Sequence, residues 1–196
     1  AGADYSLSVT PYYNKPTQQG LLEHFQAVAR SVNLPIILYN VPGRTGCDLS
    51  NETVVKLSQI DNIVAIKDAT GDVARGAALI ETVPDGFAVF SGDDATALEL
   101  MRRGGQGNVS VTANIAARDM AAMCNLALTG KWEAAAEIDA RLSELNDLLF
   151  MEANPIPVKW AMAQRGMIED GIRLPLTPLS EPCRGDLERA LETYFA

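Results

Sequence analysis

A single lysine follows an apolar, largely β-branched run near the middle of the chain. Residues 63–66 read Ile-Val-Ala-Ile, Lys67 comes next, and Thr70-Gly71 then interrupt the pattern. A run of this kind is typical of a strand buried on both faces, where lysine is rare. A lysine desolvated among apolar groups has a lowered pKa, and its free amine can attack a carbonyl carbon to form a Schiff base. The alternative is a strand-end lysine whose ammonium group reaches water.

The neighbouring acidic residue is not the obvious partner of this lysine. Side chains alternate along a strand, so Lys67 shares a face with Ile63 and Ala65, whereas Asp68 points the other way. The alternation therefore predicts that Lys67 and Asp68 do not form an ion pair with each other.

A second group of reactive side chains lies in the segment YNVPGRTG, residues 39–46. Tyr39 ends an apolar run, so we expect its ring to be buried. We expect its hydroxyl to lie at the C-terminal end of the strand and to relay protons there. Pro42 and Gly43 predict a turn that presents Arg44, whose guanidinium suits a carboxylate. The alternatives are a core tyrosine with a hydrogen-bonded tip and an arginine in a surface ion pair.

Two adjacent tyrosines, Tyr12 and Tyr13, follow the first β-rich run in a loop that also contains asparagine and prolines. We expect both rings to be exposed, and exposed aromatic side chains are enriched at protein interfaces. The alternative is an aromatic lid over the rim of the sheet.

The composition narrows the class of protein. The net charge of −9 argues against non-specific binding to nucleic acid or to anionic membranes, and no apolar run approaches the roughly 20 residues of a membrane span. The three cysteines form no CxxC, which disfavours a disulfide framework or a zinc site and favours a reducing cytoplasm. His24 is the only histidine, so no histidine-based triad or metal cluster is expected.

Short β-rich runs alternate with segments of helical periodicity, which predicts a parallel α/β sheet. Three further helical segments end the chain. Two architectures remain open: a doubly wound flavodoxin-like sheet, or part of a (β/α)₈ barrel. No GxGxxG or GxxxxGK[ST] motif follows a strand, which disfavours a nucleotide-binding sheet. The predicted strands are 5–10, 35–40, 63–67, 87–91 and 108–112, and the predicted helices are 17–32, 50–59 (capped by Ser50), 72–83, 94–103 (capped by Asp93), 115–128, 132–150, 155–165 and 181–194.

Taken in order, six segments of the chain resemble the dihydrodipicolinate synthase family of pyruvate-dependent class I aldolases, whose superfamily includes N-acetylneuraminate lyase. The resemblance runs along the whole chain. Arg44 points to the synthase branch, and Asp68 stands where the family usually has glutamate. The segments are TPYYNKPT, YNVPGRTG, IKDATGD, SGDDATALELM, NVSVTANIAARDM and NPIPVKWA.

The resemblance implies a (β/α)₈ TIM barrel, of which residues 1–130 supply the last five βα units and residues 131–196 a C-terminal helical extension. The family's first three units have no counterpart in this sequence, which also lacks an initiator methionine. We therefore expect a C-terminal part of a longer enzyme. Our hypothesis is that the 196 residues alone are inactive or poorly folded, because a barrel without three units has two open edges.

The resemblance also implies roles for individual residues. Lys67 forms the Schiff base with pyruvate, and Tyr39 donates and accepts protons near the imine. Arg44 orients the carboxylate of L-aspartate 4-semialdehyde, and the backbone carbonyl of Val109 lines the pyruvate site. Tyr13 reaches across a dimer interface to complete the proton relay of the neighbouring subunit.

Tyr12 corresponds to a position where the family binds L-lysine, its feedback inhibitor. The resemblance further implies a homotetramer built as a dimer of dimers, with no metal and no organic cofactor. Three alternatives remain: a sister pyruvate aldolase acting on sialic acid or a keto-deoxy sugar, a truncated non-catalytic remnant that docks with other subunits, and a flavodoxin-like nucleotide binder.

Overall fold

The computed structural model describes residues 2–196, which form two compact units. The first unit ends at Val109 and the second begins at Ser110. The predicted site residues all belong to the first unit.

A four-stranded parallel sheet with the order β1-β2-β3-β4 forms the centre of the first unit. Consecutive strands are neighbours, and the helices lie in the connections between them, so the α/β class with a parallel sheet is confirmed. The elements are β1 (Ser6–Val9), α1 (Gln18–Ser31), β2 (Ile36–Asn40), α2 (Pro42–Thr45), α3 (Asn51–Leu57), β3 (Ile63–Asp68), α4 (Val73–Ile80), β4 (Ala88–Ser91) and α5 (Ala97–Arg102).

In the core of this unit, the apolar side chains of helix α1 pack together with those of the sheet. Leu21 and Phe25 of α1 are fully buried together with Leu38 of β2. The helix begins after Thr17, whose hydroxyl accepts a hydrogen bond from the Gly20 amide at 3.2 Å. Burial of such large apolar side chains contributes about 1.5–3 kcal/mol each.

The fifth predicted strand, residues 108–112, is not formed. Only an isolated parallel bridge joins Asn108 to Ser91, with hydrogen bonds from the Ser91 amide to the Gly107 carbonyl (2.9 Å) and from the Val109 amide to the Ser91 carbonyl (2.8 Å). A β-rich run becomes a strand only where a ladder of backbone hydrogen bonds continues, and here the pairing stops after one residue. The prediction was therefore wrong at this segment.

Two local predictions also need correction. Residues 42–45 form the short helix α2, where a turn was predicted, and the helix ends at Gly46 in the left-handed conformation (φ 60°). Helix α5 begins at Ala97 rather than at residue 94, because the Asp93 carboxylate accepts hydrogen bonds from the amide and hydroxyl of Thr96 and holds this segment in a turn. The predicted cap at Ser50 is confirmed, since its hydroxyl accepts from the Thr53 amide at 3.3 Å.

The second unit is entirely helical. Leu142, Leu145, Leu149 and Leu187 are almost completely buried within it, and the Arg141 guanidinium of α7 binds the Asp119 carboxylate of α6 at 3.0 Å. The helices are α6 (Ala113–Leu128, with non-helical backbone angles at Ala116), α7 (Trp132–Leu148), α8 (Ile156–Gln164) and α9 (Glu181–Phe195).

Candidate active site

Tyr39 of β2, Lys67 of β3 and Phe90 of β4 are register partners in one row across the sheet. Residues paired in this way project from the same face of a sheet. The Lys67 ammonium nitrogen lies over the Tyr39 ring, 4.2 Å from its centroid. The structure thus brings together the two side chains that sequence analysis had singled out on separate strands.

Lys67 is half-buried, and burial lowers its pKa from the ordinary value of 10.5. The carboxylate of Asp94 opposes this effect, and the nearby charge of Arg44 adds to it. A lowered pKa increases the fraction of free amine at neutral pH, as a nucleophilic lysine requires. Asp68 does not act as the partner of Lys67, since its carboxylate accepts a hydrogen bond from the Thr70 amide at 2.9 Å.

The Tyr39 side chain is half-buried, and a ring buried up to its hydroxyl stays a prediction. Side chains alternate along β2, and Leu38 and Asn40 take the buried positions on the other face, which leaves Tyr39 beside Lys67. Burial raises the pKa of Tyr39, and the charge of Arg44 partly offsets this rise. The phenol is therefore protonated at neutral pH and can donate a hydrogen bond.

Arg44 lies in the single turn of helix α2 and is exposed to solvent. No ion pair involves its guanidinium among residues 2–196. Its charge nevertheless influences the pKa values of both Tyr39 and Lys67, so the three side chains share one electrostatic environment. An exposed, unpaired guanidinium beside an amine and a phenol can bind the carboxylate of a small anion.

A buried carboxylate at the end of β4 completes this environment. Asp94 is 2% exposed and accepts a hydrogen bond from the Asn108 side-chain amide at 2.7 Å. The sequence pattern places Asp94 in the first turn of a helix, so its role as a buried carboxylate is not evident from the sequence. The available signal was its place after a strand, within the polar segment that follows Ser91.

A network of hydrogen bonds fixes the segment that follows Tyr39 and carries Arg44. Asn40 donates to the Asp48 carboxylate at 2.8 Å and accepts from the Leu49 amide at 3.1 Å. Arg75 of helix α4 binds the other Asp48 oxygen at 2.8 Å and the Leu49 carbonyl at 2.6 Å. Sequence analysis missed this network, because Arg75 and Asp48 are 27 residues apart.

Two predicted site residues, Tyr12 and Tyr13, make no contact with the Lys67–Tyr39 pair among those that the structure describes for residues 2–196. Tyr12 is 61% exposed and Tyr13 is 90% exposed, in agreement with the expected exposure. No hydrogen bond or ring contact joins either side chain to Lys67 or Tyr39 within residues 2–196. Val109 is half-exposed beside the end of β4, and a carbonyl role for it stays a prediction.

The described part of the chain, residues 2–196, places no group of three or more histidine, cysteine or acidic side chains where they could hold a metal ion. Within the same residues, none of the helices is both long and apolar enough to cross a lipid bilayer.

The sequence profile of the Dihydrodipicolinate synthetase family matches residues 1–194. The chain belongs to this family. The chain is 62% identical over 180 residues to 4-hydroxy-tetrahydrodipicolinate synthase from Nitrosomonas eutropha, a match that covers 92% of the chain and 62% of the relative. It is 56% identical over 190 residues to the enzyme of the same name from Pseudomonas aeruginosa, covering 97% of the chain and 65% of that relative. The chain thus spans less than two thirds of the length of these relatives.

Solved structures of family members match the fold closely. Dihydrodipicolinate synthase from Acinetobacter baumannii, complexed with pyruvate, has a TM-score of 0.97 at 56% identity, covering 99% of this chain and 67% of that chain. The enzyme from Cyanidioschyzon merolae with lysine bound has a TM-score of 0.95 at 40% identity, covering 99% and 66%. The resemblance to the dihydrodipicolinate synthase family is confirmed.

Proposed function

We propose that the chain carries the Schiff-base-forming site of a 4-hydroxy-tetrahydrodipicolinate synthase, a lyase that acts in lysine and diaminopimelate biosynthesis. The observation that carries the proposal is the Lys67 amine, half-buried and with a lowered pKa, 4.2 Å from the centre of the Tyr39 ring. The names of the relatives and a family structure complexed with pyruvate support the choice of reaction and of substrate.

In the proposed reaction the neutral Lys67 amine attacks the keto carbon of pyruvate. Tyr39 protonates the departing oxygen, and water leaves as the imine forms. Loss of a methyl proton then gives an enamine, whose carbon bonds to the aldehyde carbon of L-aspartate 4-semialdehyde while the aldehyde oxygen takes up a proton. The amine of the semialdehyde finally displaces Lys67, closing the ring and restoring the free lysine. One water is released in total, and Lys67 itself serves as the electron sink.

The remaining site residues have proposed roles that follow from the family. Arg44 binds the carboxylate of the semialdehyde, which fits its exposed and unpaired guanidinium. The Val109 carbonyl lines the pyruvate site. Tyr13 completes the proton relay of a neighbouring subunit, and Tyr12 contacts L-lysine at the same interface; their exposed fractions of 90% and 61% are compatible with such an interface.

We propose further that residues 1–130 are the last five βα units of a TIM barrel, the isolated bridge between Ser91 and Asn108 standing in the place of the fifth strand, with residues 131–196 as the helical extension. The complete enzyme is proposed to be a cytoplasmic homotetramer built as a dimer of dimers. The parallel sheet and the family membership support this architecture.

Covalent trapping tests the proposal. The intact mass of the purified protein is measured before and after treatment with pyruvate and borohydride. The expected result is one reduced pyruvate per chain, mapped by peptide analysis to Lys67. The mass before treatment distinguishes a 21.0 kDa chain from a full barrel of roughly 250 or more residues. Absence of the adduct from a full barrel contradicts the proposed chemistry, and its absence from a 21.0 kDa chain supports the non-catalytic remnant.

Arg44 separates the synthase from a sister aldolase that acts on sialic acid or a keto-deoxy sugar. We expect Arg44→Ala to raise the KM for L-aspartate 4-semialdehyde by about tenfold or more, because a charge-assisted contact with the carboxylate is lost. Trapping of pyruvate at Lys67 should change little. Unchanged semialdehyde kinetics in the variant would exclude the synthase assignment.

A further inference from the structure

Gly92 lies directly against the side chain of the reactive lysine. A β carbon at Gly92 would stand 2.7 Å from Cε and 3.0 Å from Cγ of Lys67, and 2.8 Å from Cβ of Ala69. Non-bonded carbon atoms are most favourably separated by about 3.5–4.0 Å. The space that any larger side chain at residue 92 needs is therefore occupied by the aliphatic part of Lys67.

The backbone at Gly92 has little freedom to move away from Lys67. Its amide donates a hydrogen bond to the Asp68 carbonyl at 2.7 Å, which continues the pairing of β3 with β4. On its other side, the Ser91 hydroxyl donates to the Asp93 carbonyl at 2.8 Å and accepts from the Asp93 amide at 3.1 Å. A side chain at residue 92 must therefore displace Lys67 or disrupt these bonds.

The backbone conformation does not itself require glycine here. Gly92 lies outside the left-handed region, unlike Gly46 and Gly71, which have φ values of 60° and 72°. An alanine at residue 92 would be compatible with the local backbone. The close approach of Lys67, together with that of Ala69, is then what leaves no room for a β carbon.

We propose that Gly92 is a positioning residue for the Schiff-base lysine. Because residue 92 has no side chain, the methylene groups of Lys67 lie along the end of β4, and the amine is held over the Tyr39 ring. This inference rests on the proposed covalent role of Lys67. It adds the requirement that the residue directly after β4 has no side chain.

The first test compares the rate of pyruvate trapping in the full-length protein and in its Gly92→Ala variant. Displacement of a reacting group by about 1 Å can cost about 100-fold in rate, so we expect trapping to slow by at least about tenfold. We also expect the pH of half-maximal trapping to rise, because an amine pushed away from the β4 backbone is better solvated. Both readouts are obtained by intact mass after borohydride quenching.

Two other glycines provide matched controls. At Gly76 in helix α4 a β carbon would meet the tip of Leu100 at 2.6 Å, and at Gly185 in helix α9 it would meet nothing within 4 Å. Gly76→Ala should lower the Tm without changing the trapping rate per folded molecule or its pH profile. Gly185→Ala should leave both the rate and the pH profile unchanged.

A second measurement keeps the inference testable if Gly92→Ala folds poorly. The fall in Tm caused by Gly92→Ala is compared in the wild type and in Lys67→Ala, which removes two of the three close contacts. We expect a clearly smaller fall in the Lys67→Ala background. An equal fall in both backgrounds contradicts the inference, as does wild-type trapping by Gly92→Ala at every pH. Failure of the wild type itself to trap pyruvate contradicts the proposed function instead, and the role of Gly92 with it.

Discussion

Two adjacent rows of side chains across the same sheet have different characters. Leu38, Ile66 and Val89 form one row and are 0%, 1% and 0% exposed. The next row contains Tyr39, Lys67 and Phe90, all half-buried. A step of one residue along each strand changes the face of the sheet, and with it the role of the side chain. The first row, called the apolar row below, supplies packing. The second, called the reactive row, keeps a lysine and a phenol partly desolvated.

The difference shows how a parallel sheet can carry the proposed chemistry without losing its core. The register that aligns the apolar row also aligns the reactive row, because neighbouring strands pair residue by residue. The strand register that brings the apolar row together therefore also places Tyr39 beside Lys67. Substitutions in the two rows should have separable effects, on activity in one row and on stability in the other.

The largest expected effect is on the reactive row. Lys67→Met should abolish pyruvate trapping, because the variant has no amine to attack the keto carbon. Its folded state should be retained, since a long apolar side chain can occupy the same half-buried position. Trapping followed by intact mass checks the loss of the adduct, and circular dichroism checks the fold. Lys56→Met, at an exposed position of helix α3, is the matched control and should trap pyruvate normally.

The same variant tests the sign of the charge effect on stability. The pKa of Lys67 in the folded state lies below 10.5, so burial of the charged form opposes folding at pH values below the folded pKa. This penalty disappears as the pH rises through the folded pKa towards 10.5, because the folded lysine then loses its proton. The stability of Lys67→Met relative to wild type should therefore be greatest near neutral pH and should decrease as the pH rises. A difference that is constant with pH would contradict the desolvation of Lys67.

The next largest effect is expected in the apolar row. Leu38→Ala should lower the free energy of unfolding by about 2–5 kcal/mol, because Leu38 is fully buried and its truncation leaves a cavity. Urea denaturation measures this loss. Leu7→Ala is a suitable control in strand β1, since Leu7 is 49% exposed, and its cost should be within about 0.5 kcal/mol. Similar costs at the two positions would mean that the two faces of the sheet are not distinct.

Sequence periodicity was sufficient to predict which face of its own strand Lys67 occupies, but not the contacts that connect distant segments. The alternation around Lys67 correctly separated it from Asp68, because strand geometry is local. The pairing of Lys67 with Tyr39 required the register between strands, which the resemblance to a family supplied. The bonds from Arg75 to Asp48 join segments 27 residues apart, and no local pattern indicates them.

The failed strand prediction at residues 108–112 and the overlooked contact of Gly92 also depend on distant segments of the chain. Residues 108–112 have the composition of a strand, but strand formation depends on a neighbouring ladder that continues, and only one bridge is present. Tyr39 ends an apolar run, and alternation along β2 places it, half-buried, on the face that also carries Lys67. The importance of Gly92 is not visible in the sequence, since its contact with Lys67 is a property of packing.

The smallest effect concerns the polar network beside the reactive row. Burial raises the pKa of Asp48, but hydrogen bonds from Arg75 and Asn40 outweigh it and lower the pKa below the ordinary value of 3.8. A lowered pKa contributes stability above pH 3.8 that is lost as the pH falls through the folded pKa. Because the Asp48 side chain is 47% exposed, Asp48→Asn should cost at most about 1 kcal/mol at neutral pH and nearly nothing at strongly acidic pH.

Urea denaturation across the acidic range distinguishes this network from an ordinary surface ion pair. The control is Glu99→Gln, which removes exposed pairs with Arg103 (3.1 Å) and Arg102 (3.8 Å) within helix α5 and its end. Such pairs should contribute only about 0.3–0.5 kcal/mol each. Asp48 connects Arg75 to Asn40, the residue next to Tyr39, so its loss should also slow pyruvate trapping slightly, whereas Glu99→Gln should not. An Asp48→Asn variant with a pH-independent cost and unchanged trapping would show that the reactive row keeps its geometry through strand pairing alone.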